Sequence, residues 1–335
     1  MEKIVIRKFG KAHTLKTENF PDIDPQSLSS DDVLIDVYYS GINFADIVMR
    51  LGFYQDAPKK PFTPGYEYSG KVLAVGSAVT SLKEGDEVYG GCVFGGYSSQ
   101  LKMKEWQVIK IPNHLDLKES AGLPVAFITA YTALYDMARI RKGDKVLIDC
   151  ATGGVGTLAL QMLKNLEAKA IGLTSSPHKK ELIESYGAKA MTNEEFSNSS
   201  ERNFDFILNS SGGATIKKQF KRLKPTGRIL CLGVSDGIKD GKRSFGTFLK
   251  TVLTMPKFSV ISLFAENKGV YALNALHLIQ NDDSQKEFMD NFNKAESMNL
   301  RPLIGDVFPA SNVGDAHRNI ELRKSKGKVL LSWKN

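Results

Sequence analysis

The stretch "IDCATGGVGTLAL", residues 148–160, decides the fold. An apolar run, "DKVLID" (144–149), leads into it and reads as a buried strand. Leu158, Met162 and Leu166 follow at i, i+4 and i+8, the spacing of one helix face. Between strand and helix, the turn carries Gly153, Gly154 and Gly156, with Val155 among them. Glycines let the backbone curl tightly and approach a pyrophosphate, while the helix N-terminus offers that anion free N–H groups and a partial positive charge. Any tight strand-to-helix turn uses glycine. The strand before and the helix after supply the context that a dinucleotide fingerprint requires.

The pattern continues outward. "AKAIGLT" (168–174) reads as a second strand, and the helix "HKKELIESY" (178–186) begins after Ser176 as N-cap and Pro177 as first helical residue and stops at Gly187. "FDFILN" (204–209) and "GRILCLG" (227–233) are further strands, separated by the helix "ATIKKQFKRL" (214–223). Alternating strands and helices imply right-handed crossovers and a doubly wound parallel sheet. Ligands of such sheets bind beyond the carboxyl ends of the strands, which makes Asn209, Ser210, Leu232 and Gly233 candidate cofactor contacts. NAD-selective sites put an acid at the end of the second strand. None occurs from Thr174 through Lys180; Thr174, Ser175 and Ser176 offer hydroxyls and Lys179 a charge. That set suits a 2′-phosphate, so the expected cofactor is NADPH.

The N-terminal third has a different texture. "DDVLIDVYYSGIN" (31–43), "YSGKVLAVGSAV" (68–79), "GDEVYG" (85–90) and "YSSQLKMKEWQVIKIP" (97–112) are short β-rich runs bounded by turn residues, as in a barrel-like unit. "GKVLLSW" (327–333) is a strand with no helix after it, expected to return to that unit. The expected division is 1–121 with 265–335 for the first domain and 122–264 for the nucleotide domain. In "TPGYEYSG" (63–70), Glu67 stands between two tyrosines at the start of an apolar strand. A carboxylate placed there belongs to a metal site, an acid catalyst or a buried ion pair.

Bulk properties bound the alternatives. The chain has 335 residues, with 45 Lys and Arg against 37 Asp and Glu, a net charge of +8. The basic residues are scattered and no nucleic-acid motif accompanies them, so no nucleic-acid partner is expected. No apolar run approaches the roughly 18 residues a membrane span needs. "MEKIVIRKFG" is too short and too charged for a secretory segment, and the expected location is cytoplasmic. Cys92, Cys150 and Cys231 form no C-x-x-C and have no histidine at ligand spacing, which disfavours a disulfide framework or a cysteine-based zinc site.

Taken together, "GINFADIVMRLGFY" (41–54), "PGYEYSGKVLAVG" (64–76), "GDEVYG", "ITAYTAL" (128–134), "ATGGVG" (151–156) and the closing "GKVLL" resemble the medium-chain dehydrogenase/reductase superfamily over nearly the whole chain. Within it the chain resembles the zinc-independent quinone oxidoreductase branch. "KRSFGTFLKTVLTMPKFSV" (242–260) is similar in pattern to the vesicle amine transport protein 1 (VAT-1) group. The resemblance implies an α/β chain with a GroES-like β-barrel catalytic domain and a Rossmann nucleotide-binding domain. Zinc-dependent relatives place metal ligands at positions matching Asn43, Tyr66 and Val125, none of which is a good zinc ligand. Only "GCVFGG" (91–96) fills the place of their four-cysteine lobe, so no metal is expected.

Without a Lewis acid, hydride is expected to go to a small electrophilic acceptor, a quinone or an α,β-unsaturated carbonyl, whose oxygen needs only hydrogen-bond donors. Asn43, Tyr54 and Tyr66 are the candidates. By the same resemblance Asp46 orients the loop and Thr129 lies near the nicotinamide with Tyr131. A carboxylate entering a strand near an apolar cleft needs a cation or several N–H donors, so Glu67 is expected to be a structural anchor, with Arg50 as its partner. Asn193 and Glu194 stand where quinone oxidoreductase relatives often carry a tyrosine against the 2′-phosphate. Two other activities are compatible with these motifs: an enoyl reductase, and a VAT-1-like NADPH-binding protein that touches anionic membranes through the basic amphipathic stretch 239–258. The resemblance also implies a homodimer, formed through the edge of the nucleotide-domain sheet at "KFSVISLF" (257–264).

Overall fold

The computed structural model describes residues 1–238, 245–279, 292 and 294–334. Its strands are β1 (Glu2–Ile4), β2 (Thr17–Asn19), β3 (Asp32–Ile42), β4 (Glu67–Val75), β5 (Glu87–Gly91), β6 (Gln100–Lys104), β7 (Ile109–Lys110), β8 (Lys145–Ile148), β9 (Lys169–Thr174), β10 (Lys189–Thr192), β11 (Phe204–Asn209), β12 (Leu223–Cys231), β13 (Gly269–Ala272), β14 (Ile304–Pro309) and β15 (Lys328–Ser332). The helices are α1 (Phe44–Leu51), α2 (Leu117–Ala121), α3 (Pro124–Tyr131), α4 (Gly154–Asn165), α5 (Lys180–Ser185), α6 (Asn193–Asn198), α7 (Ala214–Phe220), α8 (Phe245–Leu253), α9 (Val260–Glu266) and α10 (Val313–Glu321).

The chain divides into two compact units, Met1–Val125 with Leu276–Asn335, and Ala126–Ala275. The first is GroES-like. Its sheet runs β14-β15-β3-β4-β5-β7, and the eleven-residue β3 organises it. Along one edge β3 pairs with β4; at Asp32–Asp36 it pairs with β6, and at Tyr39–Ile42 with β15. A long strand rich in Val, Ile and Tyr can bend between three antiparallel partners and start to close a barrel. Val33, Ile35, Val37, Tyr68, Val88 and Leu331 fill its interior. β15 is the closing "GKVLL" stretch, returned from the far end of the chain as expected.

In the second unit six parallel strands run β10-β9-β8-β11-β12-β13, a Rossmann-type sheet. Leu147, Ile171, Leu173, Phe204, Ile207 and Ile229 form its core. Here the expected boundaries need correction. Residues 122–125 belong to the first unit. The expected return at 265 comes too early, because Gly269–Ala272 pairs in parallel with Arg228–Cys231 and extends the nucleotide sheet by one strand. A four-residue strand with a glycine at its head carries too little periodicity to be read from sequence.

Cys92 is buried, Cys231 half-buried and Cys150 exposed; all three are free thiols. Among the described residues no helix is long and apolar enough to cross a membrane. Of the basic stretch 239–258, residues 239–244 lie outside the described residues. The remainder includes α8, whose Leu249, Val252 and Leu253 are exposed.

Candidate active site

The anticipated residues fall into two groups, one in each unit. In the second unit, β8 ends at Ile148, the backbone turns over Asp149–Gly153, and α4 starts at Gly154. Gly153 is the N-cap in extended geometry, and a Cβ built on it would meet only the Cys150 carbonyl, at an ordinary 3.4 Å. Gly156 is different. A Cβ there would lie 2.6 Å from the Cys150 carbonyl oxygen and 2.7 Å from the Ala151 backbone. Gly156 thus lets the first turn of α4 close onto the strand end, while Gly153 leaves the mouth of the turn open. An open glycine turn before a helix N-terminus is a cradle that fits a pyrophosphate.

Parallel register brings the other strand ends to the same edge. Ile148 lies beside Leu208 and Gly172, and Asn209 beside Cys231. The turn therefore has Thr174, Ser175 and Ser176 on one side and Ser210, Leu232 and Gly233 on the other. Ser210, Leu232 and Gly233 are half-buried. Asn209 is not presented to a ligand in this way. It is buried, its amide nitrogen donates to Gln219 at 2.7 Å and Thr215 at 3.1 Å, and its carbonyl accepts from the Gly212 N–H at 2.9 Å. Its role is to hold the β11–α7 turn. Ser176 is extended at the N-cap position of the short 3₁₀ turn Pro177–Lys179 but makes no capping bond through its side chain. Lys179 is buried. Thr192 is opposite Thr174 in register, which sets Asn193 and Glu194, exposed in the first turn of α6, just past the end of β10. Thr129 is buried in α3, and Tyr131 stacks on Tyr135 with ring centroids 4.7 Å apart where α3 passes into a π-helical turn.

In the first unit, Asn43 caps α1. The Asp46 carboxylate accepts from its backbone N–H at 2.8 Å, half of a capping box. The Asn43 side chain is held at both ends. Its Nδ2 donates to Glu67 Oε1 at 2.9 Å, and its Oδ1 accepts from the Lys328 ammonium at 2.6 Å. Lys328 also pairs directly with Glu67, whose second oxygen accepts from the Val125 N–H at 2.9 Å. The carboxylate is fully buried, and a side chain at Gly41 would fall on it. The expected partner of Glu67 is therefore corrected. Lys328, at the head of β15, takes that place, and Arg50 pairs with Glu321. Arg50 lies on the buried face of α1, where its guanidinium meets α10 instead.

Tyr66 is buried, with its hydroxyl 3.8 Å from Met49 Sδ and hydrogen-bonded with half-buried Tyr54. Burial, with Asp46 nearby, pushes the Tyr66 phenol well above its ordinary range, so it stays a neutral donor. Asp46 is buried too. Its Oδ1 accepts from the Gly65 N–H at 3.2 Å and its Oδ2 from the Tyr97 hydroxyl at 3.1 Å. Burial, only partly offset by these hydrogen bonds, raises it to about 7. Lys328, Tyr97, His317 and Glu321 were not anticipated as part of this neighbourhood, and no local pattern marks them.

The positions matching the zinc ligands of zinc-dependent relatives do not fit that ion. The Asn43 amide oxygen, the atom a metal would need, is held by the Lys328 ammonium, Tyr66 is a neutral phenol, and Val125 contributes no side-chain donor. Among the described residues no group of three or more His, Cys, Asp or Glu is placed to hold a metal.

Comparison with known proteins places this geometry. Residues 29–113 match the family model of the alcohol dehydrogenase GroES-like domain, and residues 154–280 match that of the zinc-binding dehydrogenases. The chain is 31% identical to mouse (Mus musculus) quinone oxidoreductase-like protein 2 over 324 residues, covering 93% of this chain and 88% of that one. It is 30% identical to the zebrafish (Danio rerio) synaptic vesicle membrane protein VAT-1 homolog over 318 residues, covering 91% of this chain but only 65% of the relative. Among solved structures, the quinone oxidoreductase of Thermus thermophilus, also determined in complex with NADPH, superposes with a TM-score of 0.79 at 25% identity, covering 99% of this chain and 100% of that one.

Proposed function

We propose, from the premise that this chain belongs to the medium-chain dehydrogenase/reductase superfamily, in its VAT-1 and quinone oxidoreductase-like group, that it is a zinc-independent, NADPH-dependent reductase of quinones or α,β-unsaturated carbonyls. The observation that carries the reading is the glycine turn at 149–156, open at Gly153 and closed at Gly156, at the shared edge of four strand ends. When bound there, NADPH supplies the hydride. The turn and the α4 N-terminus hold its pyrophosphate. Thr174, Ser175 and Ser176, with no acid before Glu181, accommodate the 2′-phosphate.

The protein's part at the acceptor is to offer hydrogen bonds. Because Glu67 takes one Asn43 N–H and Lys328 takes the carbonyl, the amide cannot flip, and its remaining N–H has a fixed direction. Tyr54 and Tyr66 add neutral hydroxyls. Donors fixed before reaction stabilise the negative charge that develops on an acceptor oxygen without reorganising. The test is NADPH and NADH oxidation with a panel of small quinones, enones and an enoyl thioester. The expected outcome is turnover with NADPH and a quinone or enone, weaker turnover with NADH, and a loss of at least about tenfold in kcat/KM for Tyr54→Phe. Tight NADPH binding without turnover of any acceptor overturns the reading in favour of a non-catalytic, VAT-1-like role. Preferred turnover of the thioester assigns an enoyl reductase.

The same proposal includes a homodimer. Supporting it, Val260, Ile261 and Phe264 of α9 are each about four-fifths exposed, and Leu253 nearly as much. Apolar side chains this exposed mark an association surface. Sedimentation is expected to show a dimer that Ile261→Asp with Phe264→Asp converts to monomer. If the wild type is instead a monomer that floats with vesicles, and binding survives in neutral lipid, the surface is a membrane contact.

A further inference from the structure

Behind the Asn43 cap, three buried side chains are hydrogen-bonded in series. Asp46 Oδ2 meets the Tyr97 hydroxyl at 3.1 Å, and that hydroxyl meets His317 Nε2 at 3.2 Å. All three are fully buried. Gly65 makes the approach possible. Its φ is +98°, and a Cβ on it would come within 2.5 Å of the Tyr97 ring. Beyond His317 the chain ends on polar atoms that have no partner among the described residues: His317 Nδ1, Arg50 Nε and Nη1, and Glu321 Oε2. His317 and Glu321 are one turn apart on α10, and Glu321 pairs with Arg50, so these atoms share a neighbourhood. Buried polar atoms rarely go unpaired, and an internal water with two to four polar neighbours is what such a cluster accommodates.

A hydroxyl has one proton, so the series has two consistent states. With Asp46 ionised, Tyr97 donates to it, His317 donates to Tyr97 through Nε2–H, and Nδ1 is bare. With Asp46 protonated, every donation reverses: Asp46 to Tyr97, Tyr97 to Nε2, and Nδ1 carries the proton. We propose that Asp46, Tyr97 and His317 form a buried proton relay, in which a proton delivered to His317 Nδ1 by an internal water is handed through the Tyr97 hydroxyl to the Asp46 carboxylate beneath Asn43.

The step balances. An N–H bond forms at Nδ1 as the water passes on a proton that reached it as hydronium. The Nε2–H bond breaks as its proton passes to the Tyr97 oxygen, and the original Tyr97 proton passes to Asp46 Oδ2. Tyrosine and histidine end neutral; only the carboxylate changes charge. The surroundings permit this. Burial, reinforced by the Arg50 charge, holds His317 well below its ordinary range, so it changes tautomer rather than charge. Tyr97 is held far above its own. Asp46 faces the Asn43 and Gly65 N–H groups and Tyr97, with Lys328 and Glu67 as the nearby charges, and titrates near neutrality. His317 faces Tyr97, Arg50 and Glu321. Tyr97 and His317 act through Asp46 and are positioning residues.

The test is long-range ¹H–¹⁵N correlation on the full-length protein with labelled histidine, from pH 5.5 to 9. The His317 signals, among five histidines, are assigned by their loss in His317→Gln. His317 is expected to be the Nε2–H tautomer at pH 9 and the Nδ1–H tautomer at pH 5.5, exchanging near the point where Asp46 titrates. In Tyr97→Phe the tautomer is expected to stop following pH. Asp46→Asn, which cannot titrate, is expected to hold a single tautomer throughout. A wild-type His317 that keeps one tautomer over the whole range, or becomes doubly protonated at low pH, overturns the relay, as does a tautomer shift that persists in Asp46→Asn.

Discussion

Replacing Lys328 by Met is expected to destabilise the protein by about 3–5 kcal/mol, the cost of leaving a buried charge without its partner. For a unit of this size that is a fall of roughly 10 °C in Tm. The size follows from what surrounds Glu67. The carboxylate is fully buried, and its remaining bonds come from one amide and one backbone N–H. Neither carries a compensating charge. Met retains most of the lysine stem, so the loss measures the ammonium and not the packing. Adding Glu67→Gln to Lys328→Met is expected to recover a large part of the stability, because the orphaned charge goes with it. A thermal-melt double-mutant cycle reads the coupling directly. The same variant frees the Asn43 amide to rotate, so acceptor turnover is expected to fall while NADPH affinity is held. Additive single-mutant effects would show that Lys328 and Glu67 do not act as a pair.

This pair also shows where sequence reading stops. The glycine turn between strand and helix was legible because its signals are local: strand end, glycines and helix start lie within thirteen residues, and each residue type answers a nearby geometric need. The parallel sheet followed from the same alternation. The mates of the buried charges were not legible. Asn43 and Lys328 are 285 residues apart, and Arg50 and Glu321 are 271 apart. Arg50 stands in the same 41–54 stretch as Asn43, a cation close in sequence to Glu67, where Lys328 is not. In the fold it lies on α1 and is carried to α10, while β15 delivers Lys328 from the chain's end. Periodicity reports which face of an element is buried; it does not report which distant charge arrives there. Asn209 illustrates a related gap. Its place at a strand end was correctly read, but a strand-end amide can serve the turn instead of the ligand, and the three hydrogen bonds to Gln219, Thr215 and Gly212 choose the turn.

At the glycine turn, two substitutions that differ by three residues are expected to separate binding from folding. Gly156→Ala puts a methyl group within 2.7 Å of the Cys150 carbonyl and the Ala151 backbone. Those are main-chain atoms that cannot rotate away as a side chain would. Either the first turn of α4 lifts or the strand end shifts, and both move the N–H groups that would hold the proposed cofactor's pyrophosphate. A loss of at least about a hundredfold in NADPH affinity is expected, on the order of 2.7 kcal/mol, together with a lowered Tm. Gly153→Ala meets only an ordinary contact at 3.4 Å, and its φ of −85° suits any residue. The unliganded protein is expected to keep its Tm within a degree or two. Its methyl group stands instead at the open mouth of the turn, where a pyrophosphate must come close, so NADPH binding weakens without a folding defect. NADPH fluorescence titration beside a thermal melt distinguishes the two. If Gly153→Ala binds NADPH as the wild type does, the dinucleotide does not lie against this turn, and the reductase reading loses the observation that carries it.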